Sequence, residues 1–237
     1  MFDIFRKKSD DEVMLKPLIK KHKIKRVKKT EYKKNRAEYA MNSSGEIVEL
    51  KIRRKRVSTT DLELIANLQQ LKLLDLNECD IKDVSPLSAM NLESLDIYFN
   101  KIKDISPICS IKTLKTLDMS DNQISDISAL INLQNIQNLY ISNNQIADIT
   151  PISQLKSLQK LSLNNNKIED ISPLADMQTL QRVSLNSNPI TDITPLKSLP
   201  NLKWLYLYKT PLVDGVDLKK IDLMSGVELI EYIQGQK

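Results

Sequence analysis

A period of about 22 residues runs through most of this chain and decides what it can fold into. Leu71, Leu92, Leu114, Ile136, Leu158, Leu180 and Leu202 are separated by one step of 21 and five of 22. Counted from each of them, positions 1, 4, 6, 11, 14, 17 and 20 are apolar in all six complete copies. In the third copy these are Leu114, Leu117, Met119, Ile124, Ile127, Leu130 and Leu133. Position 9 is Asn100, Asn122, Asn144, Asn166 and Asn188 in five copies, with Cys79 and Thr210 in the first and last. Position 13 is Asp83, Asp104, Asp126, Asp148, Asp170 and Asp192. Position 16 is Pro86, Pro107, Pro151, Pro173 and Pro195, with Ala129 the exception.

Apolar residues at positions 4 and 6 alternate with mostly polar neighbours, which predicts a short strand with one buried face. The Asn leaves that strand at a tight turn, where its amide can satisfy backbone groups. Pro in the middle of nearly every unit excludes an array of long helices and predicts a second, brief turn. One such coil cannot bury enough surface to stand alone, so the copies must stack on one continuous core.

The pattern L-x-x-L-x-L-x-x-N-x-I-x-D-I-x-P-L resembles the leucine-rich repeat. The 22-residue length and the segments Asp104–Ile108, Asp148–Ile152, Asp170–Leu174 and Asp192–Leu196 are similar to the bacterial internalin-type subclass. The resemblance spans roughly residues 47–213. It implies an α/β solenoid: a curved parallel β-sheet on the concave face and short 3₁₀ or irregular turns on the convex face. Internalins typically carry a signal peptide, an immunoglobulin-like domain after the repeats and often a surface anchor. None is recognised here, so the architecture is carried over and the host-receptor role is not.

The expected organisation has four parts. Residues 1–45 form a basic arm, with 14 Lys and Arg against six Asp and Glu. Three readings of it stand: a solvated, partly helical or disordered segment, a helix packed on the first repeat, or a binding arm for an anionic surface. Residues 46–70 form an N-terminal capping repeat, with Ile47, Leu50, Ile52 and Val57 in register and Thr60-Asp61-Leu62-Glu63 as a capping box that starts a helix through Leu68. Residues 71–213 hold six full repeats and one partial one. Residues 214–237 form a C-terminal cap or, less simply, a partner-binding helix.

Composition narrows the chemistry. The four glycines leave none between Ser58 and Tyr208, so no Gly-rich phosphate loop lies in the repeats. His22 is the only histidine, and Cys79 and Cys109 form no CxxC. No catalytic, metal or cofactor residue is assigned. No apolar run reaches signal-peptide or membrane-spanning length, so the cytoplasm is the expected location, with export by a specialised system left open. The net charge of +5 divides unevenly: residues 1–57 carry 19 basic and eight acidic side chains, residues 58–237 carry 16 and 22.

Function in such a solenoid is expected at strand positions 3, 5, 7 and 8, which point away from the core. Asp75, Asp96 and Asp118 share position 5 in successive copies. Carboxylates stacked at a strand spacing of ~4.8 Å repel unless a cation meets them, so the column serves either solubility or recognition of a basic partner. They line up without converging, which argues against a metal site. Six of the 11 aromatic residues fall on the same outward positions: Tyr98, Phe99, Tyr140, Trp204, Tyr206 and Tyr208. Trp204, Tyr206 and Tyr208 could instead be covered by the C-terminal cap. Arg182 joins these residues on the face at position 3. The leading expectation is a non-enzymatic interaction module that takes a protein or peptide on this face, with no small-molecule substrate. The alternative is a binder or adaptor for nucleic acid or acidic membrane acting through residues 1–56. In a third reading the basic arm folds onto the acidic column and blocks it.

Overall fold

Three residues of each repeat, positions 3 to 5, are extended and pair with the same three residues of the next copy. The computed structural model describes residues 9–27, 37–213 and 228. Among the described residues ten strands form one open sheet in chain order: β1 (Lys25–Arg26), β2 (Glu38–Met41), β3 (Ile47–Lys51), β4 (Leu73–Asp75), β5 (Ser94–Asp96), β6 (Thr116–Asp118), β7 (Asn138–Tyr140), β8 (Lys160–Ser162), β9 (Arg182–Ser184) and β10 (Trp204–Tyr206). Only β2 and β3 run antiparallel; every other neighbouring pair is parallel. Because Thr116, Leu117 and Asp118 face Asn138, Leu139 and Tyr140, each repeat position becomes a column across the sheet.

Every apolar repeat position from Leu71 to Leu199 is buried, in one continuous core. The return path is built from 3₁₀ turns such as Ser85–Leu87, Thr150–Gln154 and Thr194–Ser198. The position-13 aspartates start these turns. Each accepts the backbone N–H two residues on, as in Ser106 to Asp104, Ser128 to Asp126 and Thr150 to Asp148, all at 2.8 Å. Hydrogen bonds from the Ser106 and Thr150 side chains to Asp104 and Asp148, and from the Ser128 N–H to Asp126, each with the second group of the same residue adding to it, hold the three carboxyls below the ordinary carboxylate range.

The position-9 asparagines do what their amides permit. Asn144 is buried; its Nδ2 donates to the carbonyls of Met119, Ile141 and Ser142, and its Oδ1 accepts from Ile124 N at 3.0 Å. Each Asn thereby ties its own turn to the preceding one. Cys79 fits differently: its thiol donates to the Ile52 carbonyl at 2.9 Å, and the Val57 N–H bonds to the Cys79 carbonyl instead of a side chain.

Position 8 holds a feature the sequence reading does not contain. Arg54, Glu78, Phe99, Asp121, Asn143, Asn165, Ser187 and Lys209 all have φ between 53° and 57°. Every turn leaves its strand through a left-handed residue, and none of these residues is glycine.

The N-terminal end is thicker than a single capping repeat. Helices α1 (Asp10–Met14) and α2 (Lys16–His22) place Leu15 and Leu18 in the same core as Ile47, Leu50 and Ile52. Ser9 caps α1 in a reciprocal box with Glu12, whose carboxylate also accepts from the Tyr39 hydroxyl at 2.5 Å. Gly45, at φ 87°, turns β2 into β3. Helix α3 (Thr59–Ala66) begins at Ser58, with Asp61 completing the box, so the capping pair lies two residues before the expected Thr60. A Ser outside the helix can aim its oxygen at the N–H three residues on, whereas Thr60 is already inside it. Lys21 donates to Asp61 at 2.5 Å and ties α2 to α3. The parts of the arm and of the C-terminal cap at 1–8, 28–36, 214–227 and 229–237 lie outside the described residues. Among the described residues no helix is long and apolar enough to cross a membrane.

The concave face as candidate interaction site

The columns at positions 3, 5, 7 and 8 make one surface, and its character changes from β4 to β10. The acidic column occupies the first strands, in register as Asp75, Asp96 and Asp118. Its members are not equivalent. Asp75 is buried and held by the Arg53 guanidinium, from Nε at 2.7 Å and from Nη2. The cation that the column needs is thus supplied within the chain, and Asp75 is not open to a partner. Asp96 accepts from Asn77 Nδ2 at 2.8 Å and from Tyr98 N, yet burial, helped by the charges of Asp75 and Asp118, pushes its carboxyl up to about 6. Burial also raises Asp118, whose own hydrogen bond comes from Ser120 N at 3.0 Å.

The basic stretch before this column faces the acidic residues of the next turn. Arg54 meets Glu78 at 2.9 Å, and Arg56 lies 3.8 Å from Asp80, which also pairs with Lys101 at 2.5 Å. Arg53, Arg54 and Arg56 thus each face a carboxylate of the same chain.

The aromatic residues fall into two groups with one residue between them. Tyr98 is half-buried and Phe99 is 56% exposed, their ring centroids 5.9 Å apart. On β10, Trp204, Tyr206 and Tyr208 are 44%, 45% and 54% exposed. The Arg182 guanidinium stacks over the Trp204 ring at 4.6 Å, and Lys209 lies 5.4 Å from the Tyr208 ring. Tyr140 stands between the two groups on β7, half-buried.

The repeated geometry has counterparts of known structure. A leucine-rich repeat family model matches in two copies, residues 91–132 and 134–176. Internalin C2 from Listeria monocytogenes is 35% identical, over 69% of this chain and 72% of that one, with a TM-score of 0.66. The chain belongs to the internalin-type leucine-rich repeat family. A leucine-rich repeat protein from Leptospira interrogans is 33% identical over 63% of this chain and 40% of its own, with a TM-score of 0.57. A search of curated proteins returns no match.

The face of this internalin-type solenoid also holds a hollow absent from the sequence reading. It has a volume of about 290 Å³ and lies between Tyr140 and Tyr206, over Ser162 and Ser184. Lys160 and Arg182 line one side of it and Asn186 the other. Of these, Tyr140, Tyr206 and Arg182 were expected on the face as separate contacts. The signal that unites them is the order of sizes down position 5 (Tyr140, Ser162, Ser184, Tyr206), which appears only when the copies are read across and not along. Among the described residues no group of three or more His, Cys, Asp or Glu could hold a metal ion.

Proposed function

We propose that this chain is a protein-interaction module whose partner lies along the concave face, anchored by Tyr98, Phe99, Tyr140, Trp204, Tyr206 and Tyr208, with Asp96 and Asp118 selecting a basic group. The observation that carries the reading is the distribution of exposed large apolar side chains. Among the described residues these are Val13, Phe99, Ile131, Trp204, Tyr206 and Tyr208, and four of the six stand on this one face. Exposed Trp and Tyr beside a cation are the side chains that anchor interfaces. Phe99 adds a second cost, because a bulky residue in the left-handed region is disfavoured by sterics alone. A partner that covered the ring would offset both. The reading assigns no catalytic or cofactor role.

The test is a capture experiment with full-length protein, followed by affinity measurement on the purified partner. Changing Tyr98, Tyr140 and Tyr206 to Ala should weaken binding at least a hundredfold. Unchanged affinity in that variant would remove the concave face from consideration.

The reading through residues 1–56 has less support. Arg53, Arg54, Arg56 and Lys21 already face carboxylates of the same chain. Deleting residues 1–45 would not test it cleanly, because that deletion would strip Leu15 and Leu18 from the core. Charge-neutral substitutions at exposed Lys positions test binding to nucleic acid or acidic vesicles without that damage.

A further inference from the structure

The hollow between Tyr140 and Tyr206 follows from the residues that build it. Position 5 on β7 to β10 runs large, small, small, large, so the two tyrosines stand three strand steps apart, about 14 Å, with Ser162 and Ser184 as the floor. That floor is pre-arranged by its own hydrogen bonds. Ser184 Oγ donates to Asn164 Oδ1 at 2.6 Å, Asn164 Nδ2 donates to Ser162 Oγ at 3.2 Å, and Ser162 shares a 2.8 Å bond with Ser142. Asn186 is fixed in turn, accepting from Tyr208 N at 2.7 Å.

The charge along the other side is unbalanced. Lys160 and Arg182 are direct partners in the parallel register of β8 and β9. Like charges placed opposite one another destabilise a sheet. Among the described residues neither makes an ion pair with a carboxylate; Arg182 is held instead by the Trp204 ring. The acidic column ends one strand before Tyr140, at Asp118. Tyr140 therefore separates a negative end of the face from a positive one, and its hydroxyl feels Asp118 and Arg182 in opposite senses.

We infer that this hollow is an anion subsite, in which Lys160 and Arg182 together take one carboxylate or phosphate carried on a side chain of the protein partner. The inference rests on the concave-face reading and adds a direction to it. Asp118 and the centre of the hollow lie two to three strand steps apart, about 12 Å. A partner segment crossing the face then carries a basic side chain toward β5 and β6. Its acidic side chain lies about four extended residues away, toward β8 and β9. A segment with the two charges exchanged meets like charge at both ends and is rejected.

Titration of the ¹⁵N-labelled full chain tests this without the natural partner. The probes are O-phospho-L-tyrosine and N-acetyl-L-glutamate, with L-tyrosinamide as the control that lacks an anion. At least one anionic probe should shift the amides of Ser162, Ser184 and Asn186, with saturation in the millimolar range and weakening by salt. A response to the first probe alone identifies a phosphate site, and a response to the second a carboxylate site. The variant Lys160→Gln with Arg182→Gln should lower the affinity at least fivefold, whereas Lys160→Arg should retain it. Spectral dispersion reports folding of each variant. The inference is overturned if neither probe shifts these amides, or if the double variant binds as well as the parent. Tyr98→Ala leaves this hollow intact, so a loss of partner binding in that variant and a failure of the anion titration report on separate statements.

Discussion

Asn100 and Asn144 occupy the same repeat position and are equally buried, each 9% exposed, yet their removal should differ sharply in cost. Asn144→Ala leaves only one backbone group without a partner, the Ile124 N–H. The three carbonyls that Asn144 serves keep other donors: Asn122 for Met119, Asn166 for Ile141 and Asp121 N for Ser142. Asn100→Ala orphans three groups among the described residues: the N–H groups of Cys79 and Ile81 and the carbonyl of Leu76. The cause is Cys79, whose thiol points to the Ile52 and Asn77 carbonyls and does not supply the donor to Leu76 that an Asn would. A buried unsatisfied group costs about 1–3 kcal/mol. The loss is then about 2 kcal/mol for Asn144→Ala and roughly 6 kcal/mol for Asn100→Ala. At about 3 °C per kcal/mol for a chain of this size, melting temperatures should fall by about 6 °C and roughly 18 °C. Thermal unfolding followed by circular dichroism gives both values. Amide exchange at Cys79 and Ile81 in one variant, and at Ile124 in the other, locates the loss. Equal destabilisation by the two substitutions would refute the argument that shared carbonyls make the inner rungs redundant.

Four further outcomes are expected. Asp96, raised to about 6 by burial, binds a proton more tightly folded than unfolded, so stability should decline as pH rises from about 4 to 6 and stay lower above it; Asp96→Asn should gain about 1–2 kcal/mol at pH 7 in urea unfolding and flatten that decline. Asp104, Asp126 and Asp148 lie below their ordinary range, so their contribution is present at neutral pH and lost as pH falls below about 4; replacing all three with Asn should flatten the acid side of the stability profile. Phe99→Asn should raise stability by roughly 1 kcal/mol in the same urea assay, because Asn tolerates φ near +55°, while partner affinity falls. Cys79 and Cys109 are fully buried with thiols pushed up to about 12, so iodoacetamide at pH 8 should modify neither until urea unfolds the chain, as read by intact mass.

The solenoid was legible because its information is repeated. A strand of three residues is too short to recognise once, but Leu117 aligned with Leu95, Leu139 and Leu161 makes the buried column plain. The same holds for the aromatic positions, which the register assigns to the outward face. What the sequence concealed lies where a residue acts singly or across copies. Arg53 and Asp75 are 22 residues apart, and their pairing depends on the divergent first turn standing in register with the next. Leu15 and Leu18 lie in the short apolar run Val13–Ile19 of the basic arm, where a helix packed on the first repeat is one of three readings and the run is too short to set a period that decides among them. The left-handed corner has no signature, because Phe99, Asn143 and Lys209 share no chemistry.

That corner also limits which surfaces this scaffold can present. Positions 3, 5 and 7 lie in or beside extended backbone, where β-branched and aromatic side chains are welcome. Position 8 is closed to Val, Ile and Thr by the clash of a branched Cβ at positive φ, so one column of the face draws on a restricted alphabet. A library that randomised all columns alike would fail there and at position 7, whose side chains accept backbone N–H groups of the next copy, and its surviving members would differ in partner choice chiefly through positions 3 and 5. The solenoid therefore comes with two columns tied to the backbone, position 8 by its φ and position 7 because Asn77, Ser120, Ser142, Asn164 and Asn186 each accept the backbone N–H of the next copy, beside positions 3 and 5, which are freer to follow a ligand.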